Sequence, residues 1–292
     1  MIGELASLIA ALCWAVAAIL YKKSLETVDA ISANLIRSIP AAIFLFVVVL
    51  ALGDLWKLSF VDSWTLTCLI LGTLIGLGLG DGLYFLSLRY IGVGRAVPIT
   101  GTYPLFTAIF SIIFLEEPFE PLTIIGVVII VVSIWLLSGT NSQSSENAGE
   151  DRRGVVLAVI TAIVWATGII FLDLALRNIG YYLANAVRMP ILVGFLVVVV
   201  LCTGKGKMII RASRREWLML GLAGVTALGI GGIAFLAGIS MIGATRSTAI
   251  SSVTPLFSTV FSFYLIKEKI TLRIALGAVL ATLGVILLTI VR

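Results

Sequence analysis

The sequence predicts an all-α integral membrane fold of ten transmembrane helices, arranged as two inverted five-helix repeats. Three observations carry that prediction. First, 60% of the 292 residues are hydrophobic and only 12% are charged, whereas soluble domains carry charge at about 25% of positions. So few charges do not cover a water-soluble surface of this size, and the mean hydropathy of +1.17 agrees. Second, apolar runs of about 20 residues recur along the whole chain, each long enough to cross ~30 Å of hydrocarbon; the alternation of a transmembrane barrel is missing. Third, unlike residues return at a constant offset of 151 positions. Trp14 returns as Trp165, Asn34 as Asn185, Arg37 as Arg188, Arg95 as Arg246, Pro104-Leu105-Phe106 as Pro255-Leu256-Phe257, Glu117 as Glu268 and Gly126 as Gly277. A tandem duplication explains that regularity.

Taken in order, the first repeat (1–138) holds spans near 3–21, 31–52, 64–88, 94–115 and 121–138. The polar interval 139–153, GTNSQSSENAGEDRR, reads as a solvated linker. The second repeat (154–292) holds spans near 154–174, 181–202, 216–240, 245–266 and 271–291. Connections are short, as antiparallel neighbours require. Five crossings per repeat bring the second copy in from the opposite face, so the repeats are inverted. Inverted repeats around a midplane site are the architecture of alternating-access transporters. Most basic loop residues, among them Lys22, Lys23, Arg152, Arg153, Arg214 and Arg215, fall on the face away from the termini. By the positive-inside rule that face is cytoplasmic and the termini are outside. The first apolar run lacks a basic flank before it and a small-residue cleavage site after it, so it stays as a span. A multi-pass protein of the cell membrane, surrounded by lipid bilayer, is the expectation.

Composition also excludes classes of function. The chain has no histidine, which removes the usual proton shuttle and the commonest metal ligand. Cys13, Cys68 and Cys202 all lie in apolar runs without C-x-x-C spacing, so no disulfide framework, metal site or cofactor is expected. A net charge of +5 comes from residues at helix ends, which set topology and do not indicate nucleic acid. No nucleotide-binding motif is present, so direct use of ATP is not expected. The rival reading is an integral-membrane enzyme acting on lipid or a lipid-linked substrate. The missing histidines, the missing H-E-x-x-H and a single acidic cluster, Glu116-Glu117 with Glu120, argue against it.

Several in-span residues are candidates for the site. Thr100, Tyr103, Thr107 and Ser111 fall on one face of a helix at steps of three, four and four. They return as Ser251, Thr254, Ser258 and Ser262. Two facing stripes of this kind would line a central cavity and satisfy the polar groups of a small solute; the alternative is small residues that let helices pack. Pro98, Pro104 and Pro255 free backbone carbonyls for a substrate or a hinge, or mark static kinks. The row Gly72, Gly76, Gly80 reads as a close helix crossing. Asp81 lies about two turns inside its span, where an acid costs about 2.5–3.5 kcal/mol on insertion scales. With Tyr84 one turn along, it is a candidate proton or cation site; an ion pair with Arg37 or Arg95 is the alternative. Arg37 and Arg188 each follow an asparagine by three positions and either hold an anionic substrate group or lock helix ends. Trp14 and Trp165 lie mid-span, away from the interfacial belt, as a pocket wall or as bundle packing. Gly126 with Ser133, and Gly277 with Gly284, give the outer spans small faces that seal each half or support self-association, for a monomer or weak homodimer.

Trp14 with Lys22 eight residues on, Arg37 in the second span and the R…P-L-F segment of the fourth resemble the EamA-type drug/metabolite transporter superfamily. The resemblance covers both halves, essentially the whole chain. Two departures stand out: Asp173 occupies the position that would repeat Lys22, and Trp14 lacks the glycine that often follows it. The resemblance implies a ten-span fold, and with the missing catalytic residues the reading is a non-enzymatic carrier of a small metabolite or organic ion, exporting or importing as the repeats rock. It also implies cytoplasmic termini, opposite to the charge count, so orientation stays open. Related small multidrug exporters place their acid in the first span, where this chain has only Glu4, so coupling to protons through Asp81 stands beside facilitated exchange.

Overall fold

The computed structural model describes the chain apart from residues 25–27, 92–95, 97–98, 119, 138–147, 255, 258–260, 262–271 and 291–292. The described residues are helical and contain no strand. The first half comprises α1 (Ile2–Ser24), α2 (Ala30–Ala51), α3 (Ser63–Thr73), a π-helical segment π1 (Leu74–Gly80), α4 (Asp81–Ile91), α5 (Tyr103–Phe114) and α6 (Pro121–Leu137). The second comprises α7 (Ala148–Leu176), α8 (Tyr181–Cys202), a short α9 (Gly206–Arg211), α10 (Arg214–Gly224), π2 (Val225–Ile230), α11 (Gly231–Ser251) and α12 (Leu272–Ile290). Among the described residues, five helical stretches are long and apolar enough to cross a membrane: Ile31–Ala51, Ser63–Tyr84, Arg152–Leu176, Tyr181–Cys202 and Arg214–Ser251; shorter apolar helices accompany them.

Local chemistry sets the helix starts. The carboxylate of Asp29 accepts from Ile31 N and Ser32 N and opens α2. Asp62 does the same for α3 through Thr65 N (2.9 Å) and Thr65 Oγ1 (2.6 Å). Ser213 and Glu216 form a reciprocal capping box at α10, satisfying donors that the first turn leaves unpaired.

The boundaries differ from the sequence expectation in four places. The third span and its equivalent are not continuous α-helices: π1 and π2 interrupt them, starting 151 positions apart. The predicted span 94–115 is broken by a turn at Gly101 and Thr102, after which α5 starts at Tyr103 with Pro104 in its first turn; proline suits a first turn, where its missing N–H has no bond to lose. The proline therefore starts a helix and frees no interior carbonyl. The polar linker 139–153 is not all linker, because α7 already begins at Ala148. The boundary near 240–245 is a bend inside α11 at Gly243, whose φ of 78° is a left-handed conformation that favours glycine.

The two halves are intertwined. α1 packs along α10, π2 and α11, and α7 packs equivalently along α3, π1 and α4. α2 pairs with α8, and α6 pairs with α12. The glycine row is a close crossing, as expected. A Cβ on Gly168 of α7 would stand 2.8 Å from Gly76 Cα and 3.0 Å from the Gly72 carbonyl. Gly224 of α10 likewise leaves no room for a Cβ against the carbonyl of Arg37, which holds α2 close to the interrupted helix. The outer helices seal against each other: Gly126 faces Leu288, and Gly284 faces Ile130.

Candidate functional site

The site is built on the two interruptions. A π-helical turn breaks the regular i→i−4 ladder and often marks a functional position. Irregular backbone is tolerated at membrane depth where it lines a cavity or meets a side chain. At π2, Trp14 Nε1 donates to the Ala227 carbonyl (3.2 Å). Asn185 Nδ2 donates to the carbonyls of Leu228 (2.8 Å) and Gly229 (3.3 Å). At the end of π1 the equivalent tryptophan does something else: Trp165 Nε1 donates to Asp81 Oδ1 (3.1 Å). Asp81 Oδ2 accepts from Arg37 Nη2 (2.8 Å), and Arg37 Nε donates to Asn34 Oδ1 (2.7 Å). Asp81 and Arg37 are both buried, at 8% and 9% exposure. Desolvating two such charges is offset only when they are paired and hydrogen-bonded, and here both conditions hold.

Arg188 is the second buried guanidinium, at 6% exposure. Its Nε and the Oδ1 of Asn185 have no hydrogen-bond partner among the described residues. The bond that joins Asn34 to Arg37 is therefore not repeated between Asn185 and Arg188. Rings flank both charged centres. Trp14 meets Phe235 at 5.1 Å between centroids and 58° between planes; Trp165 meets Tyr84 at 5.2 Å and 50°. Phe235 and Tyr84 are themselves 151 positions apart, so the tilted pair is duplicated. Tyr103 adds an edge-on contact to Trp165 at 6.0 Å and donates from its hydroxyl to the Thr248 carbonyl of the other half (3.3 Å).

Together these residues enclose a cavity of about 410 Å³ walled by both halves, within the usual range for small-molecule sites. Trp14, Asp81, Tyr84, Thr100, Tyr103, Trp165, Ser251 and Thr254 stand on its wall, as do Arg37 and Arg188. Thr107 does not: it is fully buried in α5 and donates to the Tyr103 carbonyl (3.0 Å). The turn before α5 separates Thr100 from the other three; Tyr103, Thr107 and Ser111 share a face of α5, but Thr107 and Ser111 are fully buried in the bundle. Ser258 and Ser262, with Pro98, Pro255 and Arg95, lie outside the described residues. The wall hydroxyls donate to their own helices, Thr100 to Ala96 (2.9 Å), Ser251 to Thr248 (3.2 Å) and Thr254 to Ser251 (2.9 Å). Asn34, Asn185 and Phe235 were not expected on the wall. The 151-residue offset would have picked out Phe235 as the partner of Tyr84.

Away from the cavity, a band of bonds ties the halves together around the Gly243 bend. Glu117 accepts from Ala244 N (3.0 Å) and Thr245 Oγ1 (2.6 Å). Arg177 Nη2 donates to the Leu115 carbonyl (3.3 Å), and Asn178 Nδ2 to Thr65 Oγ1 (3.3 Å). The Tyr182 hydroxyl bonds Asp54, and Arg246 pairs with Glu4 at 3.2 Å.

The EamA-like transporter family matches this chain twice, over residues 1–139 and 152–290. An uncharacterized transporter of Archaeoglobus fulgidus is 25% identical over 291 residues, spanning 99% of this chain and 98% of its own. A Lactiplantibacillus plantarum protein, assigned only provisionally to sugar uptake by its name, is 27% identical over 80% of this chain and 83% of its own. A solved crystal structure superposes with a TM-score of 0.84 at 18% identity, covering 99% of this chain and 96% of that one, which makes the fold common to both. With two matches that together span nearly its whole length, this multi-pass membrane chain belongs to the EamA-like transporter family.

Proposed function

We propose that the chain is a secondary transporter that carries one small organic solute at a time through the central cavity. The two halves, 1–138 and 154–292, act as inverted five-span repeats that open the cavity to each face in turn. One observation carries the reading: both halves contribute equivalent residues to a single cavity, Trp14 with Trp165, Arg37 with Arg188, Thr100 with Ser251 and Tyr103 with Thr254. A pocket belonging to one half would have no use for the duplication. Bonds between the halves around Gly243 supply a seal that rocking would break on one side and re-form on the other. Asp81 is the proposed coupling group, held by Arg37 and Trp165 and released when it takes a proton.

The experiment is accessibility in sealed vesicles. With Cys13, Cys68 and Cys202 replaced by alanine, single cysteines at Thr100 and Ser251 are expected to react with a membrane-impermeant thiol reagent added from either side. A cysteine at Thr107 is expected to stay protected from both. Protection of all three from both sides rejects the carrier. For coupling, Asp81→Asn is expected to abolish solute uptake driven by a pH gradient while leaving exchange intact; loss of both, or of neither, removes Asp81 from that role.

A further inference from the structure

The charges on the cavity wall do not balance. Among the described residues, Arg37 and Arg188 face a single carboxylate, Asp81, and that carboxylate is already bonded to Arg37 and Trp165. Arg188 is more than nine-tenths buried, and its Nε, like Asn185 Oδ1, has no partner among the described residues. Two buried guanidiniums sharing one carboxylate leave an excess positive charge, which is expensive at membrane depth. The duplication names what the second half lacks. The position 151 residues after Asp81 is Gly232, and a Cβ there would stand 2.6 Å from Asn185 Nδ2. The second half thus keeps the asparagine, the guanidinium and the tilted aromatic pair of the first, and has glycine in place of the acid.

We propose that the cargo supplies that acid: Arg188 binds the carboxylate of a small organic monocarboxylate, in the second half's counterpart of the place Asp81 takes in the first. The inference rests on the transporter reading and names the class of solute. A guanidinium fork matches a carboxylate two bonds at a time. The flat apolar body lies against Trp14 and Phe235, where ring contacts favour aromatic or unsaturated acids. A cavity of about 410 Å³ takes one such molecule. A neutral sugar would engage the Ser251 and Thr254 oxygens and leave the excess positive charge in place.

The test uses the full-length protein in nanodiscs and reads its melting midpoint with benzoate, phenylacetate or cinnamate, each against its primary amide at the same concentration. A ligand that binds the folded state raises the midpoint with its occupancy. At least one acid is expected to raise it while its amide does not. Arg188→Gln is expected to weaken that acid on the order of 30-fold or more, the usual consequence of truncating one side of a buried charge pair. Without acid the same variant is expected to melt close to wild type, because Asp81 keeps its bonds to Arg37 and Trp165. Gly232→Asp is expected to supply a resident carboxylate and abolish the response; should it fail to fold, Arg188→Gln decides alone. The proposal is overturned if no acid raises the midpoint or if acid and amide act alike. It is equally overturned if either folded variant responds as wild type, or if Arg188→Gln melts well below wild type without ligand. The accessibility assay needs no ligand, so a positive result there with a negative one here removes the cargo class and keeps the carrier.

Discussion

Asn34-x-x-Arg37 and Asn185-x-x-Arg188 are the same helical step written twice, and the fold treats them oppositely. In the first half the guanidinium is bonded on two sides, to Asn34 and to Asp81. In the second, Asn185 turns its amide to the π2 carbonyls instead, and Arg188 Nε is left without an acceptor among the described residues. The helix crossings differ in the same way. Gly168 meets Gly72 and Gly76, whereas the equivalent positions are Ala17, Ala223 and Ala227, which cluster as an apolar contact. Duplication copied the scaffold of interruptions, tryptophans and aromatic pairs. Divergence then gave one half a closed charge network and a tight crossing, and the other an open guanidinium and a looser crossing.

The largest effect that would break or sharpen this contrast is at the closed network. Arg37→Gln leaves Asp81 buried without its hydrogen-bonded cation and is expected to cost about 3–5 kcal/mol of stability, read as a fall in the melting midpoint. Adding Asp81→Asn to it is expected to recover much of that loss. An equal fall from Arg188→Gln would erase the difference between the halves. Next comes the crossing. Gly168→Ala forces a methyl to within 2.8 Å of Gly76 Cα, and backbone cannot yield as a flexible side chain does; about 1–3 kcal/mol is expected. The mirror change, Ala17→Gly, removes a methyl and is expected to cost about 1 kcal/mol. If the two costs come out equal, the crossings are not different.

The smallest effect concerns Asp29, at the start of α2, which joins the halves through Lys205 at 2.8 Å. Burial pushes its carboxyl up, but the bonds from Lys205 and Ser32 outweigh that and hold it below the usual carboxylate range. A depressed carboxyl stabilises fully above its unfolded value of about 3.9 and loses that contribution as pH falls through its lower folded value. Asp29→Asn is therefore expected to flatten stability against pH only below about pH 4, and an unchanged acid limb would show that the pair contributes nothing.

Much of the site was legible along the chain because duplication acts as an internal comparison. A hydroxyl stripe or a mid-span tryptophan is ambiguous alone, but its recurrence 151 residues later placed Thr100 with Ser251 and Trp14 with Trp165, and all four stand on the cavity wall. Thr107 shows where periodicity ran out: it shares a face of α5 with Tyr103, but one turn beyond Tyr103 that face is buried in the bundle. The π segments had no local signature, since a π turn is stabilised by what its carbonyls meet, here Trp14 and Asn185 from distant helices.

Composition and the repeat offset determined that the chain is an all-helical membrane protein of two related halves, because apolar length and copied spacing are properties of the chain itself. Which charge met which was decided only in three dimensions. Arg37 and Asp81 are 44 residues apart, Trp165 and Asp81 are 84 apart, and no pattern along the backbone brings them together. Intertwining the halves, with α1 on the third helix of the other half and α7 on the third helix of the first, placed both tryptophans, both arginines and one acid around the same space. Hydrophobic periodicity says which side of a helix leaves the lipid; packing against a particular neighbour settles what that side touches.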